Sequence, residues 1–183
     1  MASRFAHGPK VRDQIAVVGF GKTLKGSSSM KDTEGDVVRI SPMGQSYLDQ
    51  KLAVEFAKPV IHALQEKGIS KIGAAGFCWG AKVVVELAKD ADIQVAALLH
   101  PTFVTLDDIK GVKVPVAILG AEFDKISPPE LVDHFVKIFL GLSHGWTVRY
   151  RDENVTAVKS AQVAHQDIVD WFGKCLQTAH SAL

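Results

Sequence analysis

The stretch Gly76-Phe77-Cys78-Trp79-Gly80 joins a short apolar run, Lys71–Phe77, to a segment with helical character, Trp79–Lys89. A strand, a sharp turn with a nucleophilic side chain and a helix are the parts of a nucleophile elbow, here with Cys in place of the commoner Ser. The glycines on either side allow strand and helix to pack closely. A Cys at a helix N-terminus is also favoured as thiolate by the helix dipole. Taken alone, the pentapeptide fits a buried Cys in a Gly-containing turn equally well.

Further apolar runs are typical of more strands of the same sheet. They are Val95–Leu99, Val114–Gly120 and Phe135–Leu140, and each is followed by a polar or Gly-containing segment. Short apolar runs that alternate with helical segments favour an α/β fold with a mostly parallel sheet flanked by helices. We predict one domain over residues 1–183, with a sheet of four or five strands.

Three residues with complementary chemistry follow these runs. Cys78, Asp124 and His144 each come just after the carboxyl end of a predicted strand, and in an open parallel sheet those ends share one edge. Nucleophile, acid and histidine also occur in the chain order of an α/β-hydrolase triad. The prediction is that Cys78 attacks an acyl carbonyl, His144 takes and returns the proton, and Asp124 orients the imidazole. The backbone N–H of Trp79 is the predicted oxyanion donor.

The sequence resembles the dienelactone hydrolases, especially their plant relatives, over roughly Lys51 to Leu176. The matching segments are Gly73–Lys82, Leu99–Pro101, Ile118–Asp124, Ser127–Glu130, Ser143–Tyr150 and the terminal helix Ala164–Phe172. The resemblance implies a reduced α/β-hydrolase fold and a carboxymethylenebutenolidase-like cysteine hydrolase of esters or lactones that needs no cofactor. Some plant relatives carry a β-glucanase label. Glycoside hydrolysis normally requires two facing carboxylates, and this chain shows one acid in a nucleophile–His arrangement.

The sequence departs from the family pattern in two places. Residues 1–50 match poorly and are expected to be mobile, although this region normally supplies a second oxyanion donor and an acidic residue that contacts the nucleophile. Residues 125–143 are shorter than usual, with Pro128–His134 as the one helical candidate, which raises the question of whether His144 still meets Asp124. The departures fit either a truncated or alternatively spliced enzyme or a natural short variant. A catalytically weak or inactive family member that acts as a binding or interaction protein is the alternative function.

Composition is typical of a compact soluble domain, and the family resemblance implies a small-molecule ester or lactone as its partner. The 183 residues are 47% hydrophobic, and 21 basic and 20 acidic residues leave a net charge of +1, which gives no electrostatic case for nucleic acid or a membrane surface. No signal peptide, membrane span or metal-ligand spacing is recognisable. Two cysteines make no disulfide framework, so a cytoplasmic location is predicted, with Cys175 as a packing residue. The oligomeric state is left open.

The N-terminal part is ambiguous and the helices are clearer. Gln14–Phe20 fits a strand, whereas Lys10–Val18 fits a helix, and Lys22–Met43 has no periodicity and is expected to be exposed. Leu48–Lys67 is a predicted helix that ends at Gly68, and Pro59 is expected either to kink this helix or to mark its start. Thr156–Cys175 is the last predicted helix.

Substrate-binding candidates are few. Trp79 and Trp146 either wall an apolar pocket or pack in the core. Arg149 is a candidate anion binder because arginines hold the substrate carboxylate in the resembled family. His100 is either a neighbour of the site or a structural residue, and His62 and His165 are expected to be solvated on helices.

Overall fold

The computed structural model of the chain describes residues 15–20, 36–40, 50–124 and 135–178. The elements are β1 (Ile15–Phe20), β2 (Asp36–Ile40), α1 (Gln50–Glu66), β3 (Lys71–Phe77), α2 (Gly80–Asp90), β4 (Val95–Leu99), α3 (Leu106–Lys110), β5 (Val116–Phe123), β6 (Phe135–Ser143) and α4 (Val155–Thr178).

The strands form one sheet in the order β2-β1-β3-β4-β5-β6, and every neighbouring pair is parallel. The predicted α/β class with a parallel sheet flanked by helices is confirmed. The six strands in the described ranges exceed the four or five that we predicted, because two strands precede the elbow. β1 confirms the strand interpretation of Gln14–Phe20 over the helical one, and β2 lies within Lys22–Met43, where five strand residues between polar segments give little periodicity.

Both faces of the sheet are covered, which explains why its central strands are continuously apolar. Along β4, Ala96 and Leu98 pack with the helices α1 and α2, whereas Val95, Ala97 and Leu99 pack with α4 on the opposite face. All five residues of β4 are buried. The catalytic candidates therefore stand at the carboxyl edge of a sheet that is anchored on both sides.

Helix boundaries follow the sequence signals closely. α1 includes Pro59, so this residue neither starts nor ends the helix, and Gly68 adopts a φ of 85° just after it. Positive φ favours glycine, and the Gly68 N–H donates to the Gln65 carbonyl as the chain leaves the helix. The predicted helix Pro128–His134 lies outside the described residues.

Two strands run further than their sequences suggest. β5 continues through Gly120 to Phe123, and β6 continues through Gly141 to Ser143. Gly120 pairs with Ile138 of the neighbouring strand, so the glycine does not end β5. A Cβ at this position would lie 2.9 Å from Cδ1 of Ile138. The longer strands place Asp124 and His144 as the first residues after β5 and β6.

A part-buried ion-pair cluster holds α3, which lies in the segment that follows β4. Asp108 forms a capping box with Thr105 at the start of α3, and its Oδ1 accepts hydrogen bonds from Lys82 Nζ and Lys89 Nζ, both at 2.6 Å. Burial alone would raise the pKa of the Asp108 carboxyl, but the two lysine hydrogen bonds outweigh it and hold the pKa well below its usual range. The charged carboxylate therefore ties α3 to α2.

Asp108→Asn should lower the free energy of unfolding by about 1–2 kcal/mol at neutral pH. Lys82 and Lys89 each lose one of their two carboxylate partners and keep only Glu86, at 2.8 and 2.9 Å. Since the folded-state pKa of Asp108 is depressed, its contribution is present above the unfolded pKa and is lost at lower pH, so the difference should shrink below about pH 4. Urea unfolding at several pH values measures this. Asp107→Asn, at an exposed neighbouring carboxylate, is the matched control and should change stability by less than about 0.5 kcal/mol. Equal effects at both positions would contradict the assignment.

Candidate active site

The turn after β3 has the geometry of a nucleophile elbow. Cys78 is the first residue after the strand and adopts a φ of 55°, which is rare for a residue with a side chain and marks a strained turn. A Cβ on Gly76 would lie 2.5 Å from Ala81 Cα and 2.6 Å from the Gly80 carbonyl oxygen. The glycine therefore allows the close approach of strand and helix that the sequence predicts.

A chain of hydrogen bonds joins the three residues that the sequence placed at one edge. His144 Nε2 lies 3.0 Å from Cys78 Sγ, and His144 Nδ1 lies 2.8 Å from Asp124 Oδ2. The Asp124 side chain has no exposed area, whereas that of His144 is 15% exposed. The short connection between β5 and β6 thus does not separate His144 from Asp124. The three side chains are thus within hydrogen-bond reach of one another in the order thiol, imidazole and buried carboxylate, which is the geometry that nucleophilic catalysis requires.

The environment favours charge separation between thiol and imidazole. Burial alone would raise the pKa of the Cys78 thiol, but hydrogen bonds from Thr102 and His144 outweigh it, and the pKa lies below its ordinary value. Burial alone would lower the pKa of His144, yet its hydrogen bonds to Cys78 and Asp124 raise the pKa above its ordinary value. Both shifts favour a thiolate beside an imidazolium, the reactive form of a cysteine nucleophile.

Thr102 is a member of the site that the sequence analysis missed. It is buried, and its Oγ1 lies 3.5 Å from Cys78 Sγ and 3.4 Å from His144 Nε2. A lone threonine has no motif of its own. The available signal was its position after His100-Pro101, because β4 lies between the strands that carry Cys78 and Asp124.

His100 is a fully buried neighbour of the site. Its ring centroid is 5.1 Å from that of His144, and its Nε2 lies 2.7 Å from Thr147 Oγ1. Burial and the nearby His144 charge lower the pKa of His100 to about 3, so it is neutral and cannot compete with His144 as a base at neutral pH. It therefore combines the two roles considered from the sequence: a structural residue placed beside the candidate base.

The two tryptophans pack mainly in the core. Trp79 belongs to the cluster under α1 and α2, and Trp146 to the cluster under α4, where its ring is 4.3 Å from that of Phe139. Trp146 also forms part of a cavity beside His144. Of the two expectations, core packing describes Trp79, whereas Trp146 packs in the core and faces the cavity.

This cavity of about 290 Å³ opens next to the candidate base. Its walls are rich in polar and cationic groups and come from the end of β6, the segment that follows it and the first turn of α4: Ser143, His144, Trp146, Arg149, Tyr150, Arg151, Asn154 and Ala157. Arg149 is exposed, and its backbone N–H donates to the Gly145 carbonyl at 2.8 Å. The structure thus brings Arg149 to the same cavity as His144.

Part of the candidate oxyanion site lies within the described residues. Trp79 stands at the N-cap of α2, and its backbone hydrogen bond to Cys78 helps to lower the pKa of the thiol, so its N–H lies at the Cys78 side chain. β1 pairs with β3 with Phe20 opposite Gly76, which places the end of β1 beside the elbow. The residues that follow Phe20, where a second donor is expected in this type of site, lie outside the described residues.

The other residues singled out from the sequence, Cys175, His62 and His165, lie on helices. Cys175 is half-buried on α4 and packs against the core cluster, and burial raises the pKa of its thiol. His62 is exposed on α1, and His165 is partly exposed on α4. Within the described ranges, no group of three or more His, Cys, Asp or Glu side chains is placed to hold a metal ion. No helix in this part of the chain has the length and hydropathy to cross a membrane.

Comparison with known proteins identifies the family. The model of the dienelactone hydrolase family matches residues 24–176, which include the elbow, Asp124 and His144. The chain belongs to the dienelactone hydrolase family. The match begins upstream of Lys51, within the N-terminal segment that we expected to fit poorly, and it includes β2.

Individual relatives of this family member match shorter stretches. An endo-1,3;1,4-beta-D-glucanase of Zea mays is 45% identical over 86 residues, which are 47% of this chain and 28% of that protein. The hydrolase pyvD of Aspergillus violaceofuscus is 30% identical over 123 residues, 60% of this chain and 50% of that protein. A carboxymethylenebutenolidase homolog of Mus musculus is 28% identical over 125 residues, 60% of this chain and 51% of that protein. The chain thus spans about half or less of these relatives.

Proposed function

We propose that this protein is a cysteine-dependent hydrolase of small ester or lactone substrates. The hydrogen-bonded chain from Cys78 through His144 to Asp124 carries the proposal, because it provides a nucleophile, a base and a group that orients the base. Membership of the dienelactone hydrolase family supports the same reaction class.

In the first half of the reaction, Cys78 Sγ forms a bond to the carbonyl carbon of the substrate. The proton of the thiol moves to His144 Nε2, and the carbonyl electrons move onto the oxygen. The backbone N–H of Trp79, at the start of α2, is the proposed donor to that oxygen. When the carbonyl forms again, the C–O bond to the leaving group breaks, and His144 gives the proton to the departing alkoxide. The product is a thioester on Cys78.

In the second half, water cleaves this thioester. His144 Nε2 removes a proton from water, the resulting hydroxide oxygen bonds to the acyl carbon, and the C–S bond breaks to return the thiolate. Asp124 holds the imidazole through Nδ1 during both halves, so Nε2 always faces the reacting atoms. A lactone releases a single hydroxy acid, whereas an ester releases an acid and an alcohol.

The substrate is proposed to reach this edge through the cavity beside His144. Arg149 lines that cavity and is the candidate for an anionic group of the substrate, with Trp146 as an apolar wall and His100 as a neutral neighbour behind the base. A cytoplasmic location suits the proposal, because a reducing compartment keeps the nucleophilic thiol free.

The glucanase name of the maize relative does not favour a glycosidase here. Glycoside hydrolysis normally requires two carboxyl groups that flank the scissile bond. The Asp124 carboxylate is fully buried and accepts the His144 hydrogen bond, so it does not face a substrate.

Detection of the acyl-enzyme tests the function directly. Rapid mixing with 4-nitrophenyl acetate should release a burst of nitrophenol of about one equivalent per site, and quenched samples should carry an acetyl group on the peptide that contains Cys78. A well-folded protein that neither turns over the ester nor becomes acylated would contradict the proposal. That result would favour the alternative, an inactive family member with a binding or interaction role.

A further inference from the structure

The hydroxyl of Thr102 occupies a position between the two groups that exchange a proton. Cys78 Sγ, His144 Nε2 and Thr102 Oγ1 form a triangle with sides of 3.0, 3.4 and 3.5 Å. Thr102 is 6% exposed, so bulk water has little access to its side chain. Cys78 lies in the turn after β3, Thr102 lies in the segment after β4, and His144 is the first residue after β6.

The backbone holds this hydroxyl in place. The Thr102 N–H donates to the Cys78 carbonyl at 3.1 Å, while the Cys78 N–H donates to the Leu99 carbonyl at 3.0 Å. The residues around Thr102 are bent sharply, with φ values of 37° at His100 and 62° at Phe103. Two side-chain-bearing residues with positive φ within four positions are unusual, and such strain persists only where the surrounding structure enforces it. These hydrogen bonds therefore join the segment after β4 to the turn after β3 at Cys78.

A hydroxyl can donate one hydrogen bond and accept others at the same time. A thiolate is an acceptor, and the Nε2–H of an imidazolium is a donor. We propose that the Thr102 hydroxyl stabilises the thiolate–imidazolium pair by donating to Cys78 Sγ and accepting from His144 Nε2–H. A neutral thiol beside a neutral imidazole gains less from the same hydroxyl, because hydrogen bonds to charged groups are stronger. Thr102 is thus a further catalytic residue of the site, and this role rests on the proposed function.

The other groups around the thiol do not replace this interaction. His144 faces it from the residue after β6, and Asp124, after β5, acts through the far side of that imidazole. His100, after β4, is neutral and directs its Nε2 to Thr147, and Arg149 is exposed at the cavity. Hydrogen bonds with Thr102, His144 and the Trp79 backbone all hold the pKa of Cys78 below its ordinary value, and of these three groups only Thr102 brings a side-chain hydroxyl that contacts both Cys78 Sγ and His144 Nε2.

The test compares Thr102→Val, which keeps the shape and removes the hydroxyl, with Thr102→Ser, which keeps the hydroxyl and removes the methyl. The rate of alkylation of Cys78 by iodoacetamide is measured by peptide mass spectrometry between about pH 5 and pH 10, the range in which cysteine thiols titrate. Cys175 in the same sample is the internal reference. This readout follows the thiolate and does not require ester hydrolysis, so it separates failure of this inference from failure of the proposed function.

Thr102→Val should raise the pKa of Cys78 by about one unit, so alkylation of Cys78 below the wild-type pKa should slow about tenfold while its alkaline plateau and the Cys175 rates stay unchanged. Thr102→Ser should keep the wild-type dependence of Cys78 alkylation on pH. A pKa change of less than about 0.3 in Thr102→Val, or equal changes in both variants, would overturn the inference. If Thr102→Val does not fold by circular dichroism, Thr102→Ala is measured with the same expectations.

Discussion

Cys78→Ala is expected to reduce the rate of hydrolysis of 4-nitrophenyl acetate by at least about 10³-fold, because removal of the nucleophile from an acyl-transfer site leaves only substrate binding and oxyanion stabilisation. The measurement is the steady-state release of nitrophenol by purified protein, corrected for the spontaneous reaction. His144→Ala should cause a loss of the same order, and the double variant should be no worse than either single variant, since the two residues act as a unit.

Cys175→Ala is the matched control for this experiment. It removes the chain's other cysteine, which is half-buried on α4 and packs with the core, and it should keep the rate within about twofold of wild type. If Cys78→Ala keeps more than a tenth of the activity in a folded protein, then Cys78 is not the nucleophile. If Cys175→Ala shows a loss equal to that of Cys78→Ala, the activity does not arise at the elbow.

The largest effect on stability is expected for Gly76→Ala. The added Cβ would lie 2.5 Å from Ala81 Cα and 2.6 Å from Ala81 N, and both are backbone atoms that no change of rotamer can move away. We expect a loss of about 3 kcal/mol or more in the free energy of unfolding, at the upper end of overpacking effects, because strand and helix must separate. Urea unfolding monitored by circular dichroism measures the change.

Gly173→Ala provides the opposite case within the same protein. Gly173 lies in α4, and none of the described atoms beyond its own stretch of helix lies within 4 Å of the position that a Cβ would occupy. The substitution should therefore stabilise the protein by about 0.5–1 kcal/mol through helix propensity. A Gly76→Ala protein as stable as the wild type would show that the turn relaxes easily, and the close approach of β3 and α2 would then not constrain the elbow.

The sequence predicts the fold around the elbow well because its signals there are local. The apolar run Lys71–Phe77 coincides with β3, and the flanking glycines reflect a contact between neighbours in the chain. β2 was missed because a five-residue strand at the sheet edge needs little apolar periodicity. The predicted strand ends at Gly120, whereas β5 continues to Phe123. The contact between Gly120 and Ile138 of the neighbouring strand leaves no pattern in the local sequence.

The candidate site could be predicted in part for the same reason. Cys78, Asp124 and His144 are chemically distinctive and follow strands, so their order and position suggest a common edge. Thr102 carries no such signature. Its relation to Cys78 and His144 depends on the bends at His100 and Phe103, which only the three-dimensional path of the chain reveals.

The placement of Cys78, Asp124 and His144 immediately after β3, β5 and β6 has a consequence for variation in this molecule. The distances between these side chains are set by the pairing of the strands and not by the length of chain between them. In the sequence, 19 residues separate Asp124 from His144 and 45 separate Cys78 from Asp124. Insertions and deletions in the connecting segments are therefore expected to leave the distances between the three side chains unchanged. A single residue gained or lost inside one of these strands would instead turn the following side chain to the opposite face of the sheet.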